Sequence, residues 1–314
     1  MSRFEQVYQQ PLILTEGSMV ERLHRFEGVQ LDPFILHTGL IYSAQGRQTL
    51  EKIYREYIDI AQKYNLPMIL LAPTWRANPE RIAQSAFSEK LSTINRDAVN
   101  FINDIRLSYG AYADSILMAG MMACRGDAYN GREALSEEEA YKFHRIQAEQ
   151  LAQSDIDFIR VATLPSASES LGMARVLSET GRPYVLSFVV RPNGNLLDGT
   201  PLWQLIEKID AEISPTPLSF TINCVHPSVM ASAMASIADQ SAYALDRIRG
   251  FQANTSAKTP EELNGAAEFH SAEPEELAQL IFELQERYNL KVVGGCCGTD
   301  NRHIEALARK LVNR

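Results

Sequence analysis

Three of the four cysteines in this 314-residue chain stand where their thiols could act together. Cys296 and Cys297 are adjacent within Gly294-Gly295-Cys296-Cys297-Gly298-Thr299-Asp300, after the apolar Leu290, Val292 and Val293 and ahead of a helical pattern. That order reads as strand, tight turn and helix start. The glycines allow backbone bends that side chains would block, so both sulfurs can face one point. Paired thiols suit a soft divalent metal, zinc first, and such a site needs at least one more ligand. Asn223-Cys224-Val225-His226, also just past a strand-like run, offers it. Zn2+ held by Cys224, Cys296 and Cys297 would keep one position open, as catalytic zinc sites do. Adjacent cysteines are not a zinc-finger spacing, and cysteines also serve as small buried apolar residues. Spacing alone leaves the metal and packing readings level. His226 reads as a hydrogen-bonded bystander and Cys124 as an ordinary free thiol. His24, His37, His144, His270 and His303 show no ligand-type pairing.

The elements that must position these thiols alternate along the chain. Strand-like apolar runs lie near residues 12, 68, 116, 158, 185, 219, 248 and 291. Helical periodicity fills most of the intervals, notably 49–64, 92–109, 137–153, 168–179, 202–209, 227–241, 274–288 and 301–312. Ser136 with Glu139 forms a capping-box signature ahead of one of them. Short apolar strands without strict alternation indicate a parallel sheet covered on both faces. Strands and helices in this alternation predict a single-domain α/β protein, a (β/α)8 TIM barrel spanning 1–314. The prediction counts the weak strand at 248 and discards the apolar segment at 34–37. The polar segment 254–271 is expected as a long loop at the barrel mouth. In such a barrel the C-terminal strand ends share one face, so Cys224 after the sixth strand can meet Cys296 and Cys297 after the eighth.

A formal charge of −9 argues against nucleic acid or an anionic membrane as the main partner. No apolar stretch has the length of a membrane helix, and Met1-Ser2-Arg3-Phe4-Glu5 lacks a secretory apolar region. Sparse cysteines in a chain of this size fit a reducing cytoplasm better than a disulfide framework. Small-molecule partners are expected, and a homo-oligomer is compatible with the composition.

Gly294-Gly295-Cys296-Cys297-Gly298-Thr299 together with Ile222-Asn223-Cys224 resembles the homocysteine S-methyltransferases, which include betaine- and S-methylmethionine-dependent enzymes. Leu12-Ile13-Leu14-Thr15-Glu16-Gly17 stands where that family opens with an apolar strand and Asp-Gly. Pro73-Thr74-Trp75-Arg76-Ala77-Asn78 is similar to its Asn-Thr-Tyr segment, and Ala162-Thr163-Leu164-Pro165-Ser166 to its Glu-Thr-Ile-Pro-Ser segment. Leu197-Asp198-Gly199-Thr200-Pro201-Leu202 is also similar. The resemblance implies a zinc-bearing barrel in which the cysteines are ligands rather than nucleophiles. It also implies Glu16, Gly17, Thr74 and Asn223 at the substrate.

The implied chemistry is methyl transfer from a sulfonium or quaternary ammonium donor to a thiol, homocysteine by default, giving methionine. An alkyl thiol near pKa ~8.5 is mostly protonated at neutral pH, and metal coordination removes that proton. Two positions depart from the family pattern. Glu16 replaces an Asp, keeping the charge on a longer arm, and Ala162 replaces a Glu expected at the acceptor's ammonium group. These departures leave two further readings open, the same zinc chemistry on another thiol and a non-catalytic zinc- or thiol-binding barrel. A quaternary ammonium donor would call for an aromatic cage, with Trp75, Tyr42 and Phe251 as contributors.

Overall fold

The computed structural model describes residues 2–258 and 272–313 together with Glu262. Its eight parallel strands close in sequence order into a barrel: β1 (Ile13–Thr15), β2 (Met68–Leu71), β3 (Ile116–Ala123), β4 (Phe158–Leu164), β5 (Tyr184–Phe188), β6 (Ser219–Val225), β7 (Ile248–Ala253) and β8 (Val292–Gly295). β1 pairs with β8 through Ile13 opposite Val292, which seals the seam. The weak strand at 248 is therefore real. The discarded segment forms an isolated bridge between Asp32 and Leu36 followed by a 3-10 turn, His37–Tyr42. Most of the expected loop lies outside the described residues, at 259–261 and 263–271.

The strands carry apolar side chains on both faces because both are covered. Outward residues such as Leu14, Met118, Leu186 and Ile222 pack under the surrounding helices in one large cluster. Helix Ala44–Lys63 contributes Leu50, Ile53, Tyr54, Tyr57 and Ile58, all from one stripe at helical spacing. Helix Glu137–Ala152 starts on the expected capping box, with Ser136 Oγ accepting from Glu139 N at 3.4 Å and Glu139 returning a carboxylate to Ser136 N at 3.0 Å. Inward residues at the strand beginnings, Ile13, Ile69, Leu117, Phe158, Val185 and Val292, form a separate apolar plug. Helix Arg3–Tyr8, ahead of the first strand, closes this end with Val7, and Arg3 is tied to Asp157 at 2.7 Å.

Further up the barrel the interior turns polar. Thr15, Arg160, Ser187, Thr221, Asn223 and Gln252 are all buried there. A packed apolar floor with polar groups above it directs binding to the C-terminal face. Among the described residues no helix is long and apolar enough to cross a membrane.

Candidate active site

The thiols of Cys224, Cys296 and Cys297 meet at the C-terminal mouth, with all three sulfurs within 4.8 Å of one another. Cys224 Sγ lies 3.3 Å from Cys297 Sγ. Two different backbone devices bring them together. In β8, a Cβ on Gly294 would stand 2.5 Å from Thr15 Cγ2 and 2.8 Å from Thr15 O, and one on Gly295 would stand 2.3 Å from Thr299 Oγ1. The glycines thus serve close approach to β1 and to the turn, while Gly298 alone in the motif takes positive φ, at 80°. The turn is held by Cys296 N donating to Ala253 O at 2.7 Å and Thr255 N donating to Cys297 O at 3.1 Å. Glu21 also accepts from Gly298 N.

In β6, strict alternation would put Cys224 on the opposite face from Asn223. The register with β7 shifts between Asn223 and Val225, and Cys224 takes φ 59°. This bulge re-aims the sulfur to the mouth beside Asn223. β4 repeats the device: its register with β5 shifts between Val161 and Leu164, and Thr163 sits at φ 63°. Positive φ at a β-branched residue is strained and persists only when its surroundings enforce it. Asn223 is that enforcement. Its Oδ1 accepts from Thr163 N at 3.0 Å and Ser187 Oγ at 2.6 Å, and its Nδ2 donates to Thr163 Oγ1 at 2.7 Å.

The sulfurs open onto a largely apolar cavity of about 300 Å3 lined by Met19, Val20, Leu71, Trp75 and Met121, with Glu16, Gly17, Asn223 and Ala162 also on its walls. Of the residues expected at the substrate, these walls include Glu16, Gly17 and Asn223. Thr74 stands apart, because its hydroxyl donates to Met121 O at 2.8 Å and accepts from Met121 N at 2.9 Å, tying the end of β2 to β3. Among the expected aromatics only Trp75 lines the cavity, and the Arg76 guanidinium stacks over it at 4.4 Å. Phe251 is buried in the outer core, and Tyr42 stacks on Phe87 beside another groove. His226 caps helix Pro227–Gln240 by accepting from Ser228 N, and Cys124 is a buried thiol pushed up to about 12 by burial.

Two wall residues carried no signal in the sequence because they reach the site from distant segments. Tyr129, on the connection after β3, brings its hydroxyl 2.7 Å from Cys224 Sγ and 3.8 Å from Cys297 Sγ. Glu21 comes from the short helix Val20–His24 after β1.

Close contact couples the thiols electrostatically. Hydrogen bonds from Cys224 and Cys297 hold Cys296 well below the usual thiol range, and the bond to Cys296 pushes Cys224 well above it. The first thiolate therefore forms readily and makes the next ones harder to form, which is the situation a bound cation relieves. Burial raises Glu16 to about 8 despite the N–H that Leu71 donates to it at 2.7 Å. Burial, followed by the neighbouring Cys297 thiol group, raises Glu21 to about 7. Burial holds His37, on the cavity wall, down near 4 and neutral.

Fold and site together define a (β/α)8 barrel with a three-thiol centre at the mouth of an apolar pocket. The chain belongs to the homocysteine S-methyltransferase family, whose model matches residues 13–311. It is accordingly a methyltransferase. It is 24% identical over 311 residues to homocysteine S-methyltransferase YbgG of Bacillus subtilis, covering 95% of this chain and 94% of that one. It is 20% identical over 287 residues to homocysteine S-methyltransferase 4 of Zea mays, covering 85% and 81% respectively. Among solved structures, the metallated form of the Escherichia coli homocysteine methyltransferase MmuM superposes with TM-score 0.78 over 98% of both chains at 19% identity. The apo form of that protein matches with TM-score 0.70 over 96% of this chain and 97% of the other.

Proposed function

We propose that this chain is a zinc-dependent S-methyltransferase that moves a methyl group from a sulfonium or quaternary ammonium donor to a thiol, homocysteine by default. The observation that carries the reading is the convergence of Cys224, Cys296 and Cys297 within 4.8 Å at one end of an apolar cavity. Three soft donors with no further histidine, cysteine or carboxylate in the group among the described residues fit zinc with a position left for substrate. Bound Zn2+ would supply a deprotonated, nucleophilic acceptor sulfur at neutral pH.

The remaining work falls to the chain. Met19, Val20, Leu71 and Met121 exclude water and bring donor methyl and acceptor sulfur together. The acceptor sulfur forms the new S–CH3 bond as the donor's bond from that carbon to S+ or N+ breaks. The bond pair stays with the leaving atom, which becomes neutral. The thiol proton passes to solvent before transfer, so the step as a whole releases one proton. Glu21 holds the β8 turn by accepting from Gly298 N. Tyr129 covers the sulfurs of Cys224 and Cys297 from above β3. Glu16, Gly17 and Asn223 supply the polar wall against the acceptor, whereas Thr74 acts through the β2–β3 tie.

The reading is tested by metal analysis of protein purified without added zinc or chelator, with methylation of homocysteine by S-methylmethionine and by betaine assayed in parallel. One zinc per chain that Cys224→Ala loses, with methionine formed, is the expected result. Full zinc retention in that variant, or free thiols and no methionine in the parent, would refute it.

A further inference from the structure

The barrel interior holds a cation that the metal centre does not use. Arg160 lies on β4 two residues before Ala162, on the same inward face, and is 2% exposed. Its Nη2 donates to Ser187 Oγ at 3.2 Å. Its Nε is sealed from solvent without a partner. Among the described residues no other hydrogen bond or ion pair engages the guanidinium. A fully charged group with several donors and one bond is expensive to bury unless something else completes it. The ionisable groups in its electrostatic reach are Cys296 and Glu16, and both line the cavity; burial keeps Glu16 protonated at neutral pH, so it does not neutralise the guanidinium. Ser187 in turn donates to Asn223, a further wall residue. The guanidinium therefore lies under the cavity floor, on the side where Ala162 presents only a methyl group.

We propose that Arg160 is the acceptor-specificity residue, taking a carboxylate of the thiol substrate from the cavity floor, so that the acceptor class is a thiol carboxylic acid whose ammonium group is dispensable. The inference rests on the methyltransferase reading above and deepens it. A carboxylate at residue 162 would favour an ammonium-bearing acceptor. This chain has none there, and it keeps a buried cation two residues below. Glu16 is already engaged by the Leu71 N–H, so its carboxyl is held at the β2 side of the cavity. A planar carboxylate matches a guanidinium in geometry and charge and supplies the acceptors that Arg160 lacks.

The test is calorimetric titration of the zinc-loaded protein with homocysteine, 4-mercaptobutanoate (no ammonium) and 3-aminopropanethiol (no carboxylate). 4-Mercaptobutanoate is expected within roughly threefold of homocysteine, and 3-aminopropanethiol ~10–100-fold weaker, the usual cost of leaving a buried charge without its partner. Arg160→Gln is expected to erase that gap while binding of 3-aminopropanethiol stays unchanged, and Ala162→Glu to reverse it. Equal affinity for the two single-charge thiols, or a preference for 3-aminopropanethiol, would show that water or Glu16 completes the guanidinium, and would overturn the inference. The parent protein decides this without either variant, so a folding defect in Arg160→Gln leaves the test intact. Binding of none of the three thiols by zinc-replete protein would instead overturn the thiol-acceptor reading itself, and the inference with it.

Discussion

At the end of β8, Gly294 and Gly295 let the strand run against Thr15 and Thr299 so closely that no side chain fits, and the two cysteines follow in a turn held by Ala253, Thr255 and Glu21. At the end of β6 there is no glycine. Cys224 itself takes φ 59° in a bulge, and Asn223 beside it fastens a second strained residue, Thr163 at φ 63°. One strand end makes room by omitting side chains, and the other bends through strain stabilised by a buried amide. Both place sulfur at the same point, but their tolerance to substitution should differ sharply.

The largest expected effect is on metal. Cys224→Ala should lower retained zinc by more than the ~10–100-fold that loss of a mere supporting group costs, read as zinc per chain after dialysis. Retention near the parent value would mean the β8 pair binds metal alone and would end the comparison. Next comes Gly294→Ala, whose added methyl meets Thr15 Cγ2 at 2.5 Å and the Thr15 carbonyl at 2.8 Å. Because one of those atoms is backbone, the change should cost ~1–3 kcal/mol in denaturant midpoint experiments. An unchanged midpoint would show that β1 gives way and that the close approach is not required.

The pH dependence of stability probes the same seam, since Glu16 O accepts from Gly295 N at 3.0 Å. Burial raises the Glu16 carboxyl from 4.5 to about 8, so the folded protein keeps a proton that the unfolded chain has released. Stability should therefore be fullest below the lower value and decline toward the upper one, by at most ~1.4 kcal/mol per pH unit. Glu16→Gln should flatten that decline, and a variant with the parent's slope would remove Glu16 as its source. The smallest effect separates strain from ligation in β6. Cys224→Gly and Cys224→Ala both lose the thiol, but glycine relieves the positive φ and should be the more stable by ~1 kcal/mol. Equal stability would mean the bulge relaxes once the sulfur is gone.

The two strand ends also differed in how plainly they could be read. Gly294-Gly295-Cys296-Cys297 is contiguous, so glycine conformation and thiol chemistry could be inferred from neighbouring letters. The strand beat placed all eight strands, including the weak one at Ile248. The bulges at Thr163 and Cys224 were not legible, since neither is glycine and each is imposed by partners across the barrel. Tyr42 and Phe251 were assigned to a donor cage by residue type alone. Phe251 faces the outer core because strand parity puts it there, and Tyr42 follows the 3-10 turn away from the mouth.

What the sequence determined by itself is what depends on local order: apolar strands alternating with helices, two thiols set side by side in a glycine-rich turn, and the absence of a carboxylate at Ala162. What only the tertiary structure decided is which groups share one small volume. Tyr129 meets Cys224 across 95 positions of chain, and Asn223 braces Thr163 across 60. Arg160 is left with Ser187 as its partner beneath the cavity, 27 positions away. Barrel closure brings such groups together, and their spacing in the chain carries no trace of it.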